Sequence, residues 1–184
     1  KGVTNISNII GHNFRLGEIE SAIGIEQLKK LNGFVKGRQR AADRLSKGLK
    51  ELKGIRVPFT KPDCTHGYYS YPMILDIDQL GVSRVKIQAA LEAEGLTGLE
   101  AGYANLHLLP MYQKKIAYGT NGFPWSSDIC RRDVNYAKGI CPIAEELHDK
   151  TLLGFAMCLH ELQDTDVDII IETFKKVWQN LHEL

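Results

Sequence analysis

The chain has 184 residues, of which 43% are hydrophobic and 24% are charged, and its formal net charge at pH 7 is +1. This is the composition of a globular chain long enough to bury a core, and a net charge so near zero gives no general reason to expect nucleic acid or an anionic membrane as a partner. No segment approaches the roughly 18 consecutive apolar residues of a membrane span, and no secretory signal is visible, so we expect a cytoplasmic protein.

The first predicted element is a long helix from Glu18 to Leu52, where apolar residues recur at spacings of three and four with charged residues between them. Gly33 and Gly37 each lower helix stability by about 1 kcal/mol relative to alanine. We therefore expect a kink or a break near Asn32-Gly33. The chain begins with Lys1 rather than methionine, and we expect it to be a piece of a longer protein.

Beyond Gly54 the pattern alternates between short strands, rich in branched and aromatic residues, and helices with a period near 3.6. The predicted strands are 55–58, 68–77, 96–99 and 152–159, and the predicted helices are 83–94, 143–148 and 164–181, with Ser83 and Asp164 as N-caps. This order predicts an α/β fold, or an α+β-like small domain, with a three- or four-stranded sheet covered by helices. We expect residues 1–54 to form an interdomain segment with the long helix, and residues 55–184 to form the small domain.

Two polar segments lie at positions suited to binding. Asn13 and Arg15 precede a helix that Gly17 is expected to cap, and an amide with a guanidinium at a helix N-terminus suits an oxyanion, above all a phosphate. His107 lies between Tyr103 and Tyr112 at the start of a long irregular stretch, where it offers hydrogen bonds to a polar ligand. The alternatives are local backbone contacts for Asn13, a surface charge for Arg15 and a structural role for His107.

Other kinds of site find little support. Nine basic residues against two acidic ones lie between Lys29 and Lys53, but few aromatic residues accompany them, so a solvated helix face is favoured over nucleic-acid binding. The four cysteines form no C-x-x-C pair and the six histidines show no ligand spacing, which predicts reduced thiols and no metal site. A third segment, Pro142-Ile143-Ala144-Glu145-Glu146, has a solvated helix start as its simplest interpretation.

Taken together and in this order, the three segments resemble the C-terminal part of the DegT/DnrJ/EryC1/StrS family of sugar aminotransferases. The stretch GHNFRLGEI at 11–19 is similar to the family's G-x-N-[YF]-R-[ML]-[ST]-E-[IL]. Residues 103–112 are similar to Y-x-P-L-H-x-x-P-x-Y, and residues 142–145 to P-x-A-E. Two positions depart from the family pattern, since Gly17 replaces a hydroxyl residue and Asn105 replaces a proline.

The resemblance implies the C-terminal domain of a fold type I pyridoxal phosphate-dependent transferase. Such an enzyme is a homodimer that transfers an amino group, from glutamate or glutamine, to a keto sugar that is usually nucleotide-linked, as in polysaccharide biosynthesis. It implies that Asn13 reaches the cofactor phosphate of the partner subunit, with Arg15 beside it. It also implies that His107, and less directly Tyr103 and Tyr112, lie on the substrate side.

The family's Schiff-base lysine lies upstream of the first motif and has no match in this sequence. We therefore expect no catalytic residue here and no amino transfer by this chain alone. A non-catalytic regulatory or ligand-binding domain derived from the family is the alternative function. A choice between amination and dehydration of the sugar does not follow from this part of the family sequence.

Overall fold

The computed structural model describes residues 17–119, 121–130 and 132–184. The chain divides into two compact units, which in the described part comprise residues 103–149 for the smaller unit, and residues 17–102 and 150–184 for the larger one. The predicted boundary at residue 54 stays a prediction. None of the helices in these ranges combines the length and the apolar character that crossing a bilayer requires.

The larger unit contains an antiparallel four-stranded sheet in the order β1-β2-β4-β3. The strands are β1 (Ile55–Arg56), β2 (Tyr71–Leu75), β3 (Leu99–Glu100) and β4 (Leu152–Phe155). In β2 the buried residues alternate with half-buried ones, which is the period of two expected when one face of a strand lies in the core. The predicted small sheet accompanied by helices is confirmed.

The helices are α1 (Glu18–Leu28), α2 (Leu31–Leu49), α3 (Ile77–Leu80), α4 (Arg84–Ala93), α5 (Pro110–Gln113), α6 (Pro142–Glu146) and α7 (Asp164–Gln179). In the larger unit, α2 packs on α7, and α4 packs on α7 and on β4. Leu45 from α2, Leu91 from α4 and Phe174 from α7 are fully buried in the shared core. Each of these residues belongs to the apolar side of its helix.

Several boundaries differ from the sequence prediction. The strands predicted at 55–58, 68–77 and 152–159 are observed as the shorter Ile55–Arg56, Tyr71–Leu75 and Leu152–Phe155, and Met157–Leu159 forms a 3₁₀ turn instead. The long helix breaks at Lys29 and Lys30 rather than at Asn32-Gly33, and α2 runs on through both of its early glycines. The N-cap of α7 is Gln163 rather than Asp164, because Gln163 and Asp166 form a reciprocal capping box. The strand predicted at 96–99 is observed at Leu99–Glu100, where it pairs with β4.

The smaller unit is built around aromatic side chains rather than a sheet. The rings of Tyr112, Trp125 and Tyr136 contact one another, with centroids 5.2 to 6.3 Å apart. The indole N–H of Trp125 donates a hydrogen bond of 3.0 Å to the Tyr136 hydroxyl. These contacts give the irregular stretch that follows Tyr103 a packed interior.

Candidate functional site

The second and third sequence motifs meet in the smaller unit through one buried pair. His107 lies in a 3₁₀ turn at Leu106–Leu108, and Glu145 lies on α6. The Nε2 atom of His107 is 2.8 Å from Oε1 of Glu145, and the two side chains are only 10% and 9% exposed. The start of α6 is exposed, as a solvated helix start would be, but Glu145 itself is buried.

Backbone donors complete the surroundings of the Glu145 carboxylate. The N–H of Gly139 donates to both oxygens at 2.7 and 2.9 Å, and the N–H of Cys141 donates at 3.4 Å. Gly139 has a φ of +99°, which favours glycine at that turn. Burial raises the pKa of Glu145, but the hydrogen bonds from Gly139, His107 and Cys141 outweigh it and hold the pKa below its ordinary value.

This arrangement fixes the orientation of the imidazole. An ionised carboxylate only accepts hydrogen bonds, so Nε2 of His107 carries the proton and donates it to Glu145. The side-chain amide of Gln113 donates a hydrogen bond of 2.7 Å to the His107 carbonyl and holds the turn from the other side. No described residue hydrogen-bonds to Nδ1, which is therefore the ring atom left for a ligand.

The other predicted substrate residues are not brought together with this pair. Tyr103 is 79% exposed, and within the described ranges no hydrogen bond or ring contact joins it to His107. Tyr112 is half-buried in the aromatic cluster with Trp125 and Tyr136. Its ring therefore has a packing role in this chain. The sequence analysis identified the segment at residues 142–146 but did not predict Glu145 as a site residue.

The predicted phosphate residues, Asn13 and Arg15, lie outside the described residues. Every lysine in the described ranges is exposed or half-buried, whereas a lysine that holds pyridoxal phosphate covalently must be desolvated to act as a nucleophile. The expectation that the Schiff-base lysine lies outside this sequence stays a prediction. The same ranges contain no group of His, Cys, Asp and Glu side chains suited to a metal ion.

The fold is that of a domain of the fold type I pyridoxal phosphate-dependent aminotransferases. The structure is similar to that of DesV from S. venezuelae, with a TM-score of 0.68, 22% identity, and coverage of 92% of this chain and 38% of DesV. Residues 2–173 match the DegT/DnrJ/EryC1/StrS aminotransferase family, and the chain belongs to this family. Both the predicted family and its pyridoxal phosphate dependence are confirmed.

Two curated relatives show how much of a family member this chain spans. The spore coat polysaccharide biosynthesis protein SpsC of Bacillus subtilis (strain 168) is 27% identical over 125 residues, which are 68% of this chain and 32% of SpsC. The GDP-perosamine synthase of Escherichia coli O157:H7 is 26% identical over 128 residues, which are 70% of this chain and 32% of the synthase. The chain thus spans about a third of the length of these relatives.

Proposed function

We propose that this chain is the C-terminal domain of a pyridoxal phosphate-dependent aminotransferase. The complete enzyme transfers an amino group from glutamate or glutamine to a nucleotide-linked keto sugar in the cytoplasm. The observation that carries this proposal is the family match over residues 2–173. The likeness to SpsC and to GDP-perosamine synthase supports a sugar as the acceptor.

The residues divide into two proposed roles. Asn13 and Arg15 hold the cofactor phosphate of the partner subunit, as an amide and a guanidinium beside a helix N-terminus can do. His107 and Tyr103, and less directly Tyr112, contact the polar substrate, and Glu145 bonds to Nε2 of His107, which leaves Nδ1 for the substrate. The Tyr112 ring also packs on Trp125 and Tyr136. Pyridoxal phosphate, when bound in the complete enzyme, supplies the electron sink that amino transfer requires.

We propose further that the chain alone is inactive and that the complete enzyme is a homodimer. Inactivity is supported by the resemblance, because the family's Schiff-base lysine lies upstream of the first motif and has no match in this sequence. A covering partner for α1 is supported by its apolar residues, since Ile19, Ile23, Ile25 and Leu28 are 57 to 77% exposed. Apolar surface of this kind marks a contact with other polypeptide.

The proposal is tested by amino transfer with the protein purified from its natural source. Formation of 2-oxoglutarate from glutamate is measured with and without a nucleotide-linked keto sugar, and the sugar product is analysed for new nitrogen. We expect formation of 2-oxoglutarate beyond about one equivalent per bound cofactor only when the sugar is present, and none from the 184-residue chain. A natural protein that binds the sugar nucleotide and never consumes an amino donor would support the non-catalytic alternative, and a nitrogen-free altered sugar would indicate dehydration.

A further inference from the structure

The larger unit contains a groove between the first half of α2 and residues 157–163, which follow β4. Its volume is about 920 Å³. The wall formed by α2 and its N-cap runs from Lys30 to Ala41, which is eleven steps of 1.5 Å, or about 16 Å. This is the length of about three helical turns or about five extended residues. The groove therefore has the dimensions of a short polypeptide segment.

Part of the lining is apolar and exposed. Phe34 and Leu159 line the groove and are 42% and 72% exposed. Leu28 and Leu31, six and three residues before Phe34, are 68% and 44% exposed. The exposed apolar surface thus continues from the groove onto α1, which has no buried residue. Continuous apolar surface of this kind marks a contact with other polypeptide.

Two glycines lie on the α2 wall. Gly33 and Gly37 both line the groove and are four residues apart, so they lie on one helix face. A Cβ added at either position meets no atom of the described residues within 4 Å. Glycine lowers the stability of a helix interior, but it allows another backbone to come close to the helix. A second segment can therefore approach α2 most closely at these two positions.

The lining is also strongly basic. Against a single acidic residue, Glu161, it contains five basic residues, namely Lys29, Lys30, Lys36, Arg38 and Arg40. Nζ of Lys29 lies 2.6 Å from a carboxylate oxygen of Glu26. Nε of Arg40 lies 3.1 Å from a carboxylate oxygen of Asp164. These two cations are paired with acidic groups of the larger unit.

The other three cations remain without a charged partner in the part of the chain that the structure describes. The side chains of Lys30, Lys36 and Arg38 form no ion pair or hydrogen bond with any described residue, although Arg38 is half-buried. Three positive charges minus the one negative charge of Glu161 leave the groove with a net charge of +2. A concave surface with charge of one sign attracts groups of the opposite sign.

The missing carboxylates have a source in the remainder of a longer protein. Residues 1–16 contain neither Asp nor Glu, so they cannot neutralise the groove. The chain covers only 32% of SpsC and 32% of GDP-perosamine synthase. A family member of that length therefore has about two thirds of its polypeptide outside the part matched here, which is ample to supply one short acidic segment.

We propose that the groove receives an acidic, amphipathic segment of the same polypeptide that lies outside these 184 residues. The inference rests on the proposed function in one respect, that this chain is part of a longer protein. Carboxylates of the segment pair with Lys30, Lys36 and Arg38 through charge-assisted hydrogen bonds. Its apolar side chains cover Phe34 and Leu159 and remove them from water. The segment thereby attaches the larger unit to the remainder of the polypeptide.

The first test is carbodiimide cross-linking of the complete natural protein, which joins a lysine amine directly to a carboxylate in contact with it. An equal mixture of ¹⁵N-labelled and unlabelled protein is refolded together before cross-linking, and the linked peptides are identified by mass spectrometry. We expect Lys30 and Lys36 to be linked to Asp or Glu of one segment outside this sequence, within a single copy.

Three outcomes of the cross-linking would overturn the proposal. Links that join a labelled to an unlabelled copy would assign the groove to a second copy, for example to Glu18 or Glu20 at the start of its α1. Links only to Glu161 would mean that the groove neutralises itself. If neither lysine is linked at all, the basic residues form a solvated surface.

The second test uses the cysteines of the complete protein. Cys158 lines the groove and is half-buried, whereas Cys64 is exposed and lies outside it. The triple variant Lys30→Gln, Lys36→Gln, Arg38→Gln should release the segment and speed the alkylation of Cys158 by iodoacetamide about tenfold or more. Cys64 should react at the same rate in both proteins.

Two further variants separate the contact from general effects of charge. The matched control Lys47→Gln, Lys53→Gln, Lys61→Gln removes the same charge from exposed lysines outside the groove. It should change the rate at Cys158 by less than about twofold. Gly33→Leu combined with Gly37→Leu fills the groove without changing its charge and should also speed the reaction, while circular dichroism shows a folded protein.

Equal rates at Cys158 in all of these proteins, or equal acceleration by the lysine control, would overturn the proposal. Its failure is distinct from failure of the proposed function, because neither test measures amino transfer. If the natural protein transfers amino groups and its groove lysines are linked to no outside segment, the groove proposal fails and the function stands. Links to such a segment in a protein without amino transfer give the reverse.

Discussion

Alanine substitutions at two leucines of the predicted long helix compare a buried part of that helix with an exposed part. Leu45 is fully buried in the core of the larger unit, whereas Leu28 is 68% exposed. Leu45→Ala removes a buried side chain and leaves a cavity, so we expect a loss of about 3 to 5 kcal/mol in the free energy of unfolding. Leu28→Ala removes exposed atoms and is expected to change this free energy by less than about 0.5 kcal/mol.

The assay is urea unfolding at low micromolar protein, monitored by far-UV circular dichroism. The slope of the unfolding free energy against urea concentration is compared between the variants. A loss of this size is a large fraction of the stability of an ordinary domain. Leu45→Ala should therefore strongly lower the urea concentration at the unfolding midpoint. Equal losses for the two variants would refute the reasoning, because they would mean that α1 is covered as completely as α2. A loss below about 1 kcal/mol for Leu45→Ala would refute the assigned core.

Four other substitutions test particular features of the structure. The pKa of Glu145 is lower in the folded chain than in the unfolded one, so its contribution to stability is full above the unfolded pKa and disappears as the pH falls through the folded pKa. The unfolding free energy of the Glu145→Gln variant should therefore fall less steeply on acidification than that of the unsubstituted chain. The comparison uses urea unfolding midpoints from about pH 7 to about pH 3. Burial raises the pKa of Tyr71 to about 12, and its hydrogen bond with Ser46 opposes this rise, so Ser46→Ala should raise the pKa further in an ultraviolet titration of the phenolate. Gly154→Ala places a Cβ 2.7 Å from the carbonyl oxygen of Tyr71 and should cost about 1 to 3 kcal/mol in urea unfolding. A Cβ added at Gly33 meets no atom of the described residues within 4 Å, so Gly33→Ala should stabilise the chain by up to about 1 kcal/mol.

Each of these has a result that would count against it. An unchanged pH profile in Glu145→Gln would mean that its carboxylate is not held ionised by the contacts described. An ultraviolet titration in which every tyrosine ionises at the ordinary tyrosine pKa would contradict the burial of Tyr71. If Gly154→Ala were as stable as Gly33→Ala, the close pairing of β4 with β2 would be wrong.

The sequence predicted the elements whose signal is local. The periods of α2 and α7 follow from apolar spacing, and Ser83 was predicted as a cap and does accept a hydrogen bond from the Lys86 N–H. The cap of α7 was misplaced because glutamine is seldom an N-cap, so the reciprocal bonds of Gln163 had no clear sequence signal. The break in the long helix was assigned to glycine, yet α2 tolerates Gly33 because tertiary packing stabilises the rest of the helix.

The contact between His107 and Glu145 was not predicted because 38 residues separate the two side chains and tertiary packing brings them together. One signal was available, since each belongs to a segment shared with the same family. Gly33 and Gly37 were interpreted only as positions that weaken a helix, and both lie within α2 in the structure.

The central claim is that this chain is the C-terminal part of an enzyme whose cofactor lysine lies elsewhere. The most direct measurement is the intact mass of the natural protein, combined with borohydride reduction and peptide mapping of any cofactor-bearing lysine. We predict a mass far above the 20.6 kDa of this chain and pyridoxal phosphate attached to a lysine outside its sequence. A natural protein of 20.6 kDa that carries no cofactor would contradict the claim and make a ligand-binding role the leading account.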